Sequence, residues 1–473
     1  MTLESIRPIG ATGPDLLFIN APSSFQQGVI ADGEEPAWGL LRVANEALHQ
    51  GKNVAILDAH RLKMSEEDMR EIIGEVQPKA VAVNPTSVNV SETLKVTNYC
   101  EEEDIPYILG GIHATLDPII ARRDFSEAHA IVRGNGEAVI GELIEYTRER
   151  IQIPTKGVYF KGESHRRTDY ADKLHPNDLH IVDQGSLVID PIYTHEQTIG
   201  GTLALLNEAT LYLTEGCPFA CSFCASPVMA NRTYGKPYSR PDTSRIGAEV
   251  EQTIRGLGAN AIHFLDDMAF INAQQVSEFH NEMRQRGLLG EFYWRGLTRV
   301  NTVLSCSDDV MDQMKETGVW RLSLGVESGS EEMLRRIGKR TTKEQIRRGI
   351  VRLAEYGIQS KAFFIMGFPG ETEDQLQETA AFIQELKDLG LNEISVFQFK
   401  PYPGTREYAW LQENNPKEIE RLAYLHHPSS RSDKVEYKSG QKDVWLESDV
   451  QIAQVNSGIV REYVLGSLEQ FYG

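Results

Sequence analysis

Residues 211–227 read LYLTEGCPFACSFCASP. A strand-like run ends at Glu215-Gly216, and Cys217, Cys221 and Cys224 follow at spacings of four and three on one short loop. Three thiols this close make a candidate metal site. Iron–sulfur clusters are usually tied by four cysteine thiolates, so a cubane tied by three leaves one iron open to a small molecule. The alternatives are a structural zinc loop or three unrelated thiols. Structural zinc usually takes four ligands in paired groups, and here Cys100 and Cys306 stand alone in the sequence.

From Ala209 onward, strand patterns alternate with amphipathic helical ones. Six strand candidates are ATLYLTE (209–215), NAIHFLD (260–266), EFYWRGL (291–297), WRLSLGV (320–326), SKAFFIMG (360–367) and EISVFQF (393–399). Helical patterns such as SRIGAEVEQTIRGLG and TKEQIRRGIVRLAEYG lie between them, each closed by glycine. Six βα units predict a partial barrel, whose active residues belong at the C-terminal strand ends. The chemically suggestive residues fall there: the cysteine loop, Asp266-Asp267, Arg299, Glu327-Ser328-Gly329, GFPGE (367–371) and PYPGT (401–405).

The preceding half alternates in the same way. Strand candidates are DLLFIN (15–20), NVAILD (53–58), KAVAVN (79–84), PYILG (106–110) and AIVRG (130–134), which predicts a parallel sheet covered by helices on both faces. Ligands of such sheets sit beyond the carboxyl ends of the strands. The loops there carry Asn20, Pro22 and Ser23; Asp58 and His60; Pro85, Thr86 and Ser87; Gly110, Gly111 and His113; and Gly136 with Glu137. Small and hydroxylic residues let a large planar ligand approach the backbone. Gly134-Asn135-Gly136 is not a dinucleotide fingerprint, since it follows the fifth strand and lacks the third glycine.

A chain of 473 residues suggests two or three domains. The divisions expected are 1–150, a linker over 151–208 that includes a hairpin-like GVYFKGES, a barrel over 209–412 and a C-terminal extension over 413–473 ending in one helix packed on the barrel. Formal charge is −20, from 48 basic and 68 acidic side chains. This argues against a nucleic-acid surface, which needs clustered Lys and Arg, and mildly favours a cationic or neutral small-molecule substrate. No apolar run reaches the roughly 18 to 20 residues that span a bilayer, and the N-terminus has no signal-peptide core. A cytoplasmic protein is expected. Five cysteines, three in one loop, are not a disulfide framework.

CxxxCxxC with Phe223 before the third cysteine resembles the signature of the radical SAM enzymes. The resemblance implies a 4Fe-4S cluster on Cys217, Cys221 and Cys224, with S-adenosylmethionine on the open iron. F-x-D-D (264–267) resembles the segment whose carboxylate reaches the methionyl amino group, which nominates Asp266 and then Asp267. G-V-E-S-G-S (325–330) nominates Glu327 and Ser328 for the ribose and methionyl part, and Arg299 suits the carboxylate. For Asp266 the structural alternative is capping of the helix starting near Asn272; for Glu327 it is a buried ion pair. Tyr234, Tyr238, Arg240, Trp294 and Tyr402 are substrate-pocket candidates, with core packing as the alternative.

The N-terminal half resembles the cobalamin-binding domain that precedes the barrel in one large subclass. It carries Asn20-Ala21-Pro22, Gly33-Glu34-Glu35-Pro36-Ala37-Trp38-Gly39-Leu40-Leu41, Gly110-Gly111-Ile112-His113-Ala114 and Gly134-Asn135-Gly136-Glu137. Ala21 and Asn135 depart from that pattern. The fold expected is therefore α/β: a doubly wound Rossmann-like cobalamin domain, a partial (βα)6 TIM-type barrel and a short extension. Asp58-x-His60 follows the second strand and has Lys63 at the glycine position, so no histidine ligand to cobalt is expected.

The resemblance implies a methyltransferase that moves a methyl group, via methylcobalamin, to an unactivated carbon or phosphorus of a small molecule. An electron donor such as flavodoxin or ferredoxin is implied as partner. The rival within the same architecture is dehydration, cyclisation or rearrangement, with or without cobalamin. A tRNA methylthiotransferase is disfavoured by the single N-terminal-half cysteine, Cys100, and the acidic charge; a zinc-binding scaffold is the remaining class.

Overall fold

Runs such as LLFI and VAIL carry no polar side chain, so as strands they have to lie between two apolar layers. In the structure, a computed structural model, the described residues are 6–7, 13–22, 35–86, 89–116, 118–149, 156–162, 170–172, 174–234, 238–417, 419, 453–455 and 457–472. They divide into two compact units between Pro191 and Ile192, with the end of one helix, from Met229, grouping with the first.

In the first unit the strands are β1 (Leu16–Ile19), β2 (Val54–Leu57), β3 (Val81–Val83), β4 (Tyr107–Leu109), β5 (Ala130–Val132) and β6 (Val158–Phe160), every residue buried. Their order is β2-β1-β3-β4-β5-β6. The first five are parallel, while β6 runs antiparallel to β5, Ala130 facing Phe160. Of the stretch read as a hairpin, the described residues 157–162 contribute one strand, at the end of this sheet order. Helix Trp38–His49 packs against Ile140–Glu149, and Glu66–Val76 against Val90–Glu102. The order reverses between β1 and β3, the place where such sheets open a ligand crevice.

Part of the expected linker docks on this unit. Glu46 accepts the His180 backbone N–H at 2.6 Å and contacts its Nδ1 at 2.9 Å, and the His180 ring stacks on His49 at 3.9 Å. Arg61 donates to the carbonyls of Ile189 and Asp190 at 2.6 and 2.9 Å.

The second unit contains β7 (Tyr193–Ile199), β8 (Thr202–Leu211), β9 (Glu215–Gly216), β10 (Tyr238–Ser239), β11 (Ala261–Phe264), β12 (Tyr293–Thr298), β13 (Val319–Glu327), β14 (Gln359–Met366) and β15 (Glu393–Gln398). Seven form a sheet of order β15-β14-β13-β12-β11-β8-β7, parallel from β8 to β15. The six expected strands are there, and one more: residues 193–208, read as linker, form β7 and the start of β8, antiparallel and joined by Gly200 (φ +58°) and Gly201 (φ +81°). A two-residue turn with both φ positive matches the twist of a hairpin, and glycine adopts it without strain.

Helices Thr243–Glu251, Ala273–Gln285, Asp308–Glu316, Lys343–Glu355 and Glu373–Asp388 separate these strands. Local chemistry starts them: Asn272, Ser307, Thr342 and Thr372 each accept a first-turn N–H, the last two within capping boxes closed by Gln345 and Gln375. Helix Ser457–Tyr472 covers the β15 edge, where the Tyr472 hydroxyl bonds both the N–H and the carbonyl of Ile394 at 2.8 Å. That satisfies part of an otherwise open sheet edge.

Alternate residues of β14 are buried and half-buried, so one face meets helices and the other lines the concave side. The latter carries ion pairs. Arg295 donates to Glu208 from Nη2 and Nε at 2.7 and 2.9 Å, and Arg321 and Lys361 share Glu393 at 2.6 Å each. Burial alone would raise the Glu208 carboxyl, but His195 and Arg295 hold it down at about 2. No helix among the described residues is long and apolar enough to cross a membrane.

Candidate active site

The cysteine loop leaves β9, whose Glu215 and Gly216 pair antiparallel with Ser239 and Tyr238 of β10. Gly216 holds φ +73°, a left-handed turn that lets Cys217 leave the ladder. Cys217, Cys221 and Cys224 are unpaired by disulfides and half-buried. Burial pushes the Cys217 thiol up and the Cys224 thiol up to about 12. Burial outweighs the opposing pull of the Arg299 charge on Cys217, and a bound metal would favour the thiolates.

Among the described residues, no three His, Cys, Asp or Glu side chains gather tightly enough for a single ion. A cubane asks for less convergence, because each thiolate binds a different iron. Tetrahedral zinc, at about 2.3 Å per sulfur, draws its thiolates to within roughly 4 Å of one another.

Arg299, buried, faces this loop. Its Nη1 lies 3.9 Å from Cys221 Sγ, its guanidinium stacks 4.0 Å over Phe219, and Nη2 donates to the Lys339 carbonyl. Asp267 accepts from Ser226 Oγ at 3.0 Å, just past Cys224, and burial raises its pKa. Phe223 meets Phe368 edge-on at 5.5 Å, and Phe368 packs on Phe399 at 5.2 Å. An aromatic wall thus joins the loop to the ends of β14 and β15.

Asp266 does not cap the following helix, a role Asn272 fills. Its Oδ1 accepts the backbone N–H of Leu213 at 3.1 Å and that of Thr214, bracing the segment that leads into the cysteine loop. Oδ2 is buried with no hydrogen-bond partner among the described residues. Burial pushes this carboxyl up to about 7, against the pull of the Thr214 hydroxyl and of those backbone hydrogen bonds. Such an oxygen is a ready acceptor for an ammonium group.

Glu327 sits at φ +74° beside a register shift between β13 and β14. Its carboxylate accepts from Lys339 Nζ at 2.7 Å, a buried pair. A Cβ at Gly325 would fall 2.4 Å from Glu327 Oε1 and 2.7 Å from Lys339 Nζ, so the glycine makes room for the pair. Ser328 is wholly buried; its Oγ lies 3.1 Å from Thr379 Oγ1 and accepts the Ser330 N–H at 3.1 Å. Sequence reasoning missed Lys339, twelve residues downstream in a turn, and no local pattern signals it. It named Glu371 only within a turn, yet that carboxylate accepts the N–H groups of Gly367 and Phe368 at 2.5 and 3.0 Å, and burial raises it to about 7.

The pocket candidates divide. Trp294 is corrected: it is 0% exposed, its indole N–H donates to Thr317 Oγ1 at 2.9 Å, and its ring meets Phe264 and Phe270 at 5.5 Å each and Phe279 at 6.2 Å. It belongs to the helix-facing core. Arg240 is committed to Thr243 and Glu278 at 3.2 and 3.4 Å. Tyr238 points a buried hydroxyl inward, its pKa raised by burial to about 12. Tyr402 keeps 37% of its surface exposed, while its hydroxyl end is crowded enough for burial to raise its pKa, with the Cys224 charge adding to the rise. The side chain of Tyr234 lies outside the described residues.

In the first unit, Asn20 Nδ2 donates to Asp58 Oδ1 at 2.7 Å beyond β1 and β2. Burial raises the Asp58 carboxyl and lowers His60. Thr86 donates from its backbone N–H to Asn89 Oδ1 at 2.6 Å, and Asn89 reaches the Ala21 carbonyl at 3.4 Å, tying the loop after Pro85 to that before Pro22. Past Gly110, Gly111 holds φ +81°, and a Cβ there would lie 3.0 Å from Asn84 Cβ. His113 Nε2 lies 3.6 Å from Asp124, Gly136 abuts Val43, and Glu137 pairs with Arg42 at 3.4 Å. Ser23 and Ser87 lie outside the described residues, as does the Gly33-Glu34 part of the GEEPAWGLL stretch.

Residues 211–383 match the model of the Radical SAM superfamily. Over 385 residues it is 26% identical to an uncharacterized methyltransferase of Pyrococcus horikoshii, covering 80% of this chain and 79% of that one. It is 29% identical over 371 residues to an anaerobic magnesium-protoporphyrin IX monomethyl ester cyclase of Cereibacter sphaeroides, covering 74% of this chain and 56% of that one. In fold it resembles the radical S-adenosylmethionine methyltransferase TsrM of Kitasatospora setae, solved with cobalamin and a [4Fe-4S] cluster, at TM-score 0.62 and 16% identity over 85% of this chain and 78% of that one. The cobalamin-dependent radical enzyme OxsB gives TM-score 0.61 at 16% identity, over 86% of this chain and 56% of that one.

Proposed function

We propose that this protein is a cobalamin-dependent radical SAM enzyme that methylates an unactivated carbon or phosphorus of a small molecule. The observation that carries this is the loop of Cys217, Cys221 and Cys224 at the C-terminal end of a parallel half-barrel, with Asp266 bracing the strand end before it through Oδ1 and keeping its buried Oδ2 unpaired among the described residues. When bound, the cluster supplies one-electron cleavage of the SAM sulfonium, and cobalamin supplies a methyl carrier. The three cysteines hold the cluster. Asp266 Oδ2 takes the methionyl ammonium with Asp267 beside it, and Arg299 offers its guanidinium to the carboxylate. Glu327 presents its carboxylate to the ribose, held by Lys339, while Ser328 fixes that turn. Phe223 and the phenylalanines behind it exclude water from the reacting centre.

The first unit supports the second cofactor by its topology. Asn20, Pro22, Pro85, Thr86, Gly110, Gly111 and His113 lie beyond the carboxyl ends of its strands around the β1–β3 reversal, with Gly136 and Glu137 nearby, and Gly111 lets a flat ligand approach the backbone. Flavodoxin or ferredoxin would deliver the electron.

Kinship with a ring-closing cyclase favours cyclisation as the second reading. Protein purified anaerobically with cobalamin supplied separates the two. A retained corrinoid, together with a product heavier than its substrate by one methylene, supports methyl transfer. Turnover without retained corrinoid and without that mass gain supports cyclisation.

A further inference from the structure

Ser222 sits between the second and third cysteines, and every polar atom it has is engaged from outside the loop. Its N–H donates to the Ile337 carbonyl at 2.8 Å, and its carbonyl accepts the Glu407 N–H at 3.3 Å. Its hydroxyl donates to Glu407 Oε1 at 2.6 Å. The other carboxylate oxygen of Glu407 accepts from Arg336 Nη2 at 3.1 Å, and Arg406 donates to the Ala220 carbonyl at 2.8 Å. Ser222 and Glu407 are 4% and 5% exposed. The helix that carries Glu407, Arg406–Asn414, is started by Thr405, which accepts the Tyr408 N–H. The P-Y-P-G-T turn thus places a carboxylate behind the cysteine loop.

We propose that Glu407, backed by Arg336, is a positioning residue that sets the geometry and charge environment of the cysteine loop and thereby governs how firmly the cluster is held and at what potential it is reduced. This rests on ligation of a cluster by Cys217, Cys221 and Cys224. Ordering a three-cysteine loop costs conformational entropy. The brace removes part of that cost before iron arrives, because the turn between Cys221 and Cys224 is already fixed at its centre. It also places a compensated charge behind the ligands; outer-shell hydrogen bonds and charges of this kind tune bound metal.

The test uses anaerobically reconstituted full-length protein and its Glu407→Ala, Glu407→Gln and Ser222→Ala variants. Iron and sulfide content, the rate of cluster loss to a chelator, the electron paramagnetic resonance of the reduced cluster and its midpoint potential are measured. Glu407→Ala is expected to lose its cluster about 10-fold faster than the parent or more. Ser222→Ala moves the same way by less, and the double variant is no worse than Glu407→Ala alone, because one interaction is shared. Glu407→Gln keeps an acceptor for Ser222 and so retains its cluster, yet its potential rises, because the Arg336 charge is left uncompensated. Should Glu407→Ala fail to fold, Ser222→Ala and Glu407→Gln decide. Cluster loss, resonance and potential unchanged in the variants would overturn the brace. A parent that takes up no iron and sulfide would instead overturn the ligation on which it rests.

Discussion

Lys339 donates to Glu327 at 2.7 Å in a pair whose side chains are only 6% and 9% exposed, with the Glu327 backbone held at φ +74°. Removing one partner of a buried pair leaves a desolvated charge with nothing to answer it. Lys339→Met is expected to lower stability by about 3 to 5 kcal/mol, read as a fall in the urea midpoint of the metal-free protein. Gly325→Ala forces a methyl into the same pair and should act in the same direction. A loss under about 1 kcal/mol, the scale of an exposed pair, would show that the pair is not sealed from water.

Asp266 provides a pH signature. Its folded pKa is raised from 3.8 to about 7 by burial. An acid raised on folding contributes stability that is fully present below its unfolded value and is lost as pH climbs through its folded one. Stability of the metal-free protein should therefore fall between about pH 4 and pH 7, with roughly 4 kcal/mol as a ceiling from this group; Glu371 adds in the same direction. Asp266→Asn removes the Asp266 part.

SAM affinity should run the opposite way, since an ammonium wants the carboxylate form. Binding is expected to tighten about tenfold from pH 6 to pH 8 by proton linkage, and to be flat in pH and about tenfold or more weaker in Asp266→Asn. Calorimetry on the reconstituted protein checks this, and parent binding that is flat over the same range would contradict the contact.

The strands were legible, and the candidate site could be nominated, because chemistry and spacing coincide locally. Alternating apolar runs, glycine stops and a triad of cysteines all lie within short windows. What escaped depends on long range or on register. The β7 strand, YTHEQTI, is a polar edge whose burial alternates only between exposed and half-buried, so it carries no apolar signal; the Gly200-Gly201 pair was the available clue. The face Trp294 presents was hidden because Trp294, Arg295 and Gly296 are all buried in β12, so burial does not alternate there. Ser222 and Glu407 stand 185 positions apart, beyond any pattern in the chain.

Trp294 should behave as core. Trp294→Phe leaves Thr317 without its indole donor, and Trp294→Ala opens a cavity costing about 3 to 5 kcal/mol. The ratio of rates among alternative substrates should be unchanged in Trp294→Phe. A changed ratio at unchanged melting temperature would return Trp294 to the pocket.

Gly111 combines φ +81° with a 3.0 Å approach to Asn84. Gly111→Ala is expected to cost about 1 to 2 kcal/mol in the first unit and to lower the corrinoid-to-protein ratio after anaerobic purification. Retention equal to the parent would place the corrinoid elsewhere or exclude it.

The most direct measurement is 5′-deoxyadenosine released from SAM by the anaerobically reconstituted protein with a strong reductant. The parent should form it, and Cys217→Ala, Cys221→Ala and Cys224→Ala should each form none above background while their metal-free forms keep the parent's fold. Deoxyadenosine production that survives loss of any one of these thiols would contradict cluster ligation by this loop.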